Sequence, residues 1–335
     1  MIETWGQDHA GSDVHRITLE RDGLSATILS YGAILQDIRI VGHNRSLVLG
    51  YQELSSYLGD DNYFGAIVGR VANRIANGTA VINGSRYVLD RNTEVGHQLH
   101  GGRDGTFRRT WDVVEHSSTH VTLQDTLPDG HMGYPGNLTV TARYEILPDQ
   151  VFSLEIEAVS DAPTLCNFAH HSYFNLGNSA TIDGHQLQAF ANRYVAVDGE
   201  GVPTGEVTDV SKTDFDFRIR KQLNDKSRYD HNLCLSDQRQ LLRQVARLCA
   251  PDDKITLSIS TTEAGLQVYT GHGISGMGRG TDGLVFGSLA GIALEPQAWP
   301  DAVNHEGFPC TLLMPEQTYR QRTQFQFTSE NLDQG

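Results

Sequence analysis

The stretch Asn137-Leu-Thr-Val-Thr-Ala-Arg-Tyr-Glu-Ile146 alternates apolar and polar side chains almost without a break. Leu138, Val140, Ala142, Tyr144 and Ile146 fall on one side, and Asn137, Thr139, Thr141, Arg143 and Glu145 on the other. A period of two marks a strand with one buried and one wet face, because successive side chains leave a pleated backbone on opposite sides. Leu147-Pro148-Asp149-Gln150 interrupts the pattern, and Phe152, Leu154, Ile156 and Ala158 resume it against Ser153, Glu155 and Glu157. Two such runs across a short Pro-Asp loop predict a β-hairpin.

Similar β-rich runs recur at residues 25–40, 79–89, 119–124, 254–260, 266–270 and 318–328, with turn signals such as Asn83-Gly84, Asp129-Gly130 and Asp183-Gly184 between many of them. Many short strands, Gly-rich turns and few helical stripes predict an all-β sandwich. No repeat of fixed period, low-complexity tract or Pro-, Ser- or charge-rich linker divides the 335 residues. One segment is ambiguous. Leu241, Leu242, Val245, Ala246 and Leu248 sit at helical spacing ahead of an Ala250-Pro251-Asp252-Asp253 turn, so pattern alone leaves helix and strand open.

Acidic residues outnumber basic ones by 41 to 26, a formal charge of −15, and only four of the basic residues are Lys. Such a chain is poorly suited to bind nucleic acid or an anionic membrane through general electrostatics. The longest apolar stretch, residues 289–294, is far shorter than the roughly 20 residues of a membrane span. Residues 1–13 are polar and lack the apolar core of a secretory leader. Cys166, Cys234, Cys249 and Cys310 form no CxxC or zinc-ligand spacing and are expected to be unpaired thiols in a reducing compartment. A cytoplasmic protein is the expectation.

Gly271-His272-Gly273-Ile274-Ser275-Gly276 matches GxGxxG, but Met277-Gly278-Arg279-Gly280 is too glycine-rich to open the helix that a dinucleotide site requires. A loop is expected there. His97 and His100 stand three apart without a carboxylate or Cys pattern to complete a metal site. Polar residues cluster unusually in three turn-bounded stretches: residues 69–75 followed by Leu99-His100-Gly101-Gly102, residues 170–176, and residues 294–301. A Glu, several His, an Arg and aromatic rings suit a sugar, whose hydroxyls take directional polar partners and whose apolar face stacks on a ring.

On these residues the sequence resembles the aldose 1-epimerases, also called galactose mutarotases, over roughly residues 11–328. The family's Gly-Arg-x-Ala-Asn-Arg-Ile and Leu-His-Gly-Gly are present at Gly69–Ile75 and Leu99–Gly102. Its Asn-His-Ser/Thr-Tyr-Phe-Asn-Leu is similar to His170–Leu176, with His170 in place of the usual Asn. Its Asp-His-Asn, Gly-x-Gln-x-Tyr-Thr-Gly and Leu-Glu-x-Gln-x-x-Pro-Asp-Ala resemble Asp230–Asn232, Gly265–Gly271 and Leu294–Ala302. His272 stands where the family commonly has Asn.

The resemblance implies a galactose-mutarotase-like β-supersandwich of large antiparallel sheets with few short helices. It implies one domain over residues 1–335, and a strand rather than a helix at 241–248. It also implies interconversion of the α and β anomers of a free aldose such as D-galactose or D-glucose, without metal or cofactor. By resemblance Glu295 is the base, His171 the acid and His100 a hydrogen-bond donor near the anomeric centre. Arg74, Asp230 and Gln267 would bind hydroxyls, with Asn73 supporting Arg74. Tyr173 and Phe174 are expected in the core, and Trp299 is open between core and site. Opposite facing of consecutive strand residues lets only one of His170 and His171 meet the sugar. The charge of Glu295 is expected to hold His171 protonated to above its ordinary pKa of about 6.5. A non-catalytic sugar-binding module or a sugar-phosphate epimerase are the competing readings. Monomer and homodimer are both open.

Overall fold

The computed structural model describes residues 1–276 and 278–329; Met277 of the glycine-rich stretch, and residues 330–335 of the expected domain, lie outside the described residues. Three antiparallel sheets carry the fold. The largest has nine strands, with Leu138–Leu147 and Val151–Ser160 near one end. These two form the hairpin expected from the sequence, paired from Leu138↔Ser160 to Leu147↔Val151. Leu138, Val140, Ala142, Tyr144 and Ile146 are all fully buried, as alternation requires. Burying each Val-, Leu- or Ile-sized side chain contributes about 1.5–3 kcal/mol, so nine alternating apolar positions on two strands fix which face turns inward.

A four-stranded sheet is built from Ile2–Gln7, Asp13–Arg21, Leu24–Leu29 and Ile34–Ile40. The run at 25–40 is therefore two strands, broken by a turn in which Gly32 and Ala33 both take positive φ. The third sheet has six strands in the order Tyr173–Phe174, Ile292–Gln297, Gly265–Tyr269, Asp230–Cys234, Arg193–Val197 and Pro203–Asp209. Apolar residues of all three sheets meet in one core, including Ile17, Leu19, Tyr144, Leu154, Leu266, Val268, Ile292 and Leu294. Among the described residues the one α-helix is the five-residue Leu54–Leu58, and no helix is long and apolar enough to cross a membrane.

The ambiguous segment is a strand, Arg243–Cys249, paired with Ile255–Thr261. Its misleading spacing has a physical cause. The register slips between Gln244 and Ala246, leaving Val245 as an extra bulged residue, so Val245, Ala246 and Leu248 are all buried. A bulge turns a period of two into something close to a helical stripe. Leu241 lies before the strand and is 89% exposed. Cys166, Cys234 and Cys249 are buried, Cys310 is exposed, and all four are unpaired thiols.

Candidate active site

The parity that buries one face of the six-stranded sheet presents the other to a cleft. Leu266, Val268, Ile292 and Leu294 enter the core, so Gln267, Tyr269, Ala293 and Glu295 must leave on the opposite side. Register then aligns the polar residues across strands: Gln267 pairs with Glu295 and with Asn232, and Asp230 pairs with Tyr269. Gln267 Nε2 donates to Asp230 Oδ1 at 2.6 Å.

The facing wall comes from the two glycine-bearing motifs. Arg74–Ile75 pairs with Gln98–Leu99, which sets His100 beside Asn73. Gly101 shows why the motif needs glycine: φ is +86° and a Cβ there would stand 1.9 Å from the Gly69 carbonyl oxygen. The His100 N–H donates to the Asn73 carbonyl at 3.0 Å. The Asn73 N–H donates to His100 Nδ1 at 3.2 Å. Nδ1 is thereby an acceptor, so the ring proton sits on Nε2. Burial pushes the His100 pKa well below its ordinary value, and His171 and Arg74 add to the shift. His100 is a neutral donor. Asn73 Oδ1 accepts from the Arg74 N–H at 2.8 Å, a supporting role. Asp301, at the end of the Glu295 motif, ties the two walls. Its N–H donates to the Arg74 carbonyl at 3.1 Å, and its Oδ1 accepts from the Ala76 N–H at 3.0 Å.

His170 and His171 face opposite ways. His170 packs towards the core against Tyr144 and Phe325, with Ser172 Oγ 3.3 Å from its Nε2. His171 turns into the cleft, its Nε2 3.6 Å from Glu295 Oε1. Its ring stands 5.2 Å from that of His100 and 5.0 Å from that of Tyr173. Glu295 is 2% exposed and its Oε2 has no partner. An unpaired buried carboxylate oxygen is costly to keep. Here it borders an open cavity of about 350 Å³.

The expectation that Glu295 raises the His171 pKa is corrected here. Burial lowers His171 to about 4, with a backbone hydrogen bond opposing, and pushes Glu295 well above the carboxylate range, with Asp230 adding and Arg74 opposing. Desolvation penalises the charged form of each group, which lowers a histidine and raises a carboxyl.

The cavity wall includes Asn73, Arg74, His100, His171, Asp230 and Glu295. Of the seven residues singled out in the sequence, only Gln267 is absent from it. Gln267 is buried beside that wall, its Nε2 holding Asp230 and its Oε1 without a partner. Arg74 Nη1 lies 3.8 Å from Asp230 Oδ2. Tyr173 is both core and wall, Phe174 is core, and Trp299 is core, its Nε1 donating to the Ala264 carbonyl. Sequence reasoning missed Asp61, Asn62, Tyr63 and Tyr269 at the wall. Only Tyr269 had a signal, its period-two relation to Gln267. His272 also lines the wall, on a loop as expected. A cleft of about 380 Å³ lies beside Pro251, but no wall residue there is a nine-tenths buried carboxylate like Glu295.

Comparisons with known proteins identify the family and the fold. The family model for aldose 1-epimerase matches residues 15–326. Galactose mutarotase of Homo sapiens is 36% identical over 329 residues, covering 95% of each chain. Aldose 1-epimerase of Escherichia coli K12 is 33% identical over 339 residues, covering 96% of this chain and 97% of that one. Among solved structures, an aldose epimerase homologue from C. elegans superposes with a TM-score of 0.88 at 30% identity, covering 94% of this chain and 99% of the other. Galactose 1-epimerase of Lactobacillus acidophilus gives 0.85 at 29% identity, with 98% of each covered. The fold is that of the galactose-mutarotase-like β-sandwich proteins. More narrowly, the chain belongs to the aldose 1-epimerase family, and it is an enzyme, an isomerase.

Proposed function

We propose that this cleft opens and recloses the ring of a free aldose, with D-galactose and D-glucose as substrates, Glu295 as base and His171 as acid. The observation that carries the reading is the buried His171–Glu295 pair at 3.6 Å with its unpartnered Glu295 Oε2 against the cavity. O1 and O5 of an aldose are bonded to the same carbon, so groups this close reach one each. Glu295 takes the proton from O1, the C1–O5 bond breaks as C1=O1 forms, and O5 takes the proton of His171. Rotation about C1–C2 presents the other face of the aldehyde, and the same steps run backwards.

The burial shifts serve this direction of transfer. A carboxylate with a raised pKa is a stronger base, and an imidazolium with a lowered pKa is a stronger acid. After opening, both groups are neutral, the state that burial favours. His100 Nε2–H supports the oxygen that bears charge, and Arg74 and Asp230 bind the hydroxyls. Each of acid and base typically contributes about 10²–10⁴-fold. A sugar phosphate is disfavoured because Arg74, among the described residues the one arginine of the cavity wall, already faces Asp230.

Polarimetry of freshly dissolved α-D-galactose, α-D-glucose and L-arabinose, with and without protein, tests the reading. Glu295→Gln and His171→Asn should each lower turnover by at least about a hundredfold with the melting transition retained. Near-normal rates in either variant would sink the assignment.

A further inference from the structure

Tyr63 has no part in the reading above, yet it touches both histidines. Its ring centroid lies 4.6 Å from that of His100 and 5.5 Å from that of His171. Its other side packs edge-on against Phe107 at 4.8 Å, just beyond the loop that carries His100. The backbone after it is tied to His171 in both directions. The Gly65 N–H donates to the His171 carbonyl at 3.1 Å, and the His171 N–H donates to the Ala66 carbonyl at 2.8 Å.

Tyr63 itself adopts φ +60°, a left-handed conformation that an aromatic residue rarely takes unless its surroundings enforce it. A turn closes over it, with the Ala66 N–H donating to its carbonyl. The side chain lines the cavity, and among the described residues no group hydrogen-bonds to its hydroxyl. Burial raises this phenol to about 12, with Asp61 and Asp60 adding and Arg108 and Arg74 opposing, so it is a neutral O–H at any working pH. A strained backbone, a ring packed against two functional imidazoles and an unspent donor on the cavity side have one shared explanation.

We propose that Tyr63 is a sugar-binding and histidine-positioning residue: its ring holds His100 and His171 at their mutual angle, and its hydroxyl bonds the aldose. The proposal rests on the aldose reading. An inactive wild-type protein would sink that reading before any Tyr63 variant is measured, whereas an active one leaves Tyr63 to be judged alone.

The test is steady-state polarimetry on α-D-galactose and α-D-glucose with Tyr63→Phe and Tyr63→Ala, each checked by thermal melting. Tyr63→Phe keeps the ring and removes one hydrogen bond. KM should rise roughly three- to tenfold while kcat moves by less than about twofold. Tyr63→Ala admits water to His171, so its pKa should climb back towards the ordinary value. The acid limb of the pH profile should move up with it, and kcat should fall at least about tenfold. An unchanged KM in the Phe variant would overturn the binding role. An unmoved acid limb in the Ala variant would overturn the positioning role, even if that variant were less stable.

Discussion

At His171 and Glu295 two buried groups stand 3.6 Å apart and titrate as a pair. The doubly protonated pair carries +1, the singly protonated pair 0 and the bare pair −1, so the two steps belong to the pair rather than to either residue. Burial penalises both charged states and widens the window between them. A second proton is added against the lowered His171, about 4, and the last proton is lost against the raised Glu295. The profile of kcat/KM should therefore be a broad bell. Its acid limb should lie well below the ordinary imidazole value of about 6.5, and its alkaline limb well above the ordinary carboxyl value of about 4.3. The alkaline limb then reports the last proton of the pair, not an imidazolium stabilised by charge. An acid limb near 6.5, measured by polarimetry across pH, would mean that His171 is hydrated in solution and the buried geometry is wrong.

At the level of the element, the strand Arg243–Cys249 shows how packing overrules a sequence pattern. In a helix Leu241, Val245 and Leu248 would share one face and be equally costly to truncate. In the bulged strand Leu248 is fully buried and Leu241 stands in solvent. Leu248→Ala should cost about 2–5 kcal/mol and Leu241→Ala no more than about 0.5 kcal/mol, read from urea unfolding. Equal losses would restore the helix. The same logic governs the six-stranded sheet, where one residue of slip would turn Glu295 and Gln267 into the core and Leu294 and Leu266 into the cleft.

Over the whole molecule, burial of histidines couples stability to pH. His170, His171 and His185 are lowered to about 3, 4 and 4, in each case chiefly by burial. Below about 6.5 the unfolded chain binds protons that the folded chain refuses, so stability is intact above that value and drains away as pH falls towards 4. Each such histidine removes up to roughly 1.4 kcal/mol per pH unit in that window. Glu295, raised instead of lowered, works against this trend above the ordinary carboxyl range. Tm should fall by several degrees between pH 7 and pH 5. His170→Asn should flatten that slope while keeping turnover within about tenfold of wild type, because His170 faces the core and not the cavity. A slope unchanged by the substitution would mean that His170 is protonated in the folded protein.

Alternation in residues 137–158 determined the strands, the hairpin and the inward face, because burial sorts side chains by a period that is written locally. The motifs likewise determined most of the site: six of the seven residues singled out stand at one cavity, and glycine at Gly101 marks a backbone contact no other residue permits. Tertiary structure decided the rest. The bulge at Val245, the hydrogen bond from Gln267 to Asp230 and the packing of Tyr63 against two histidines depend on which strands and turns become neighbours. So does the protonation of the pair, since the sequence shows a carboxylate and an imidazole but not the exclusion of water from both. Local patterns are set by which side of the chain is apolar; contacts and dielectric are set by residues far away along it.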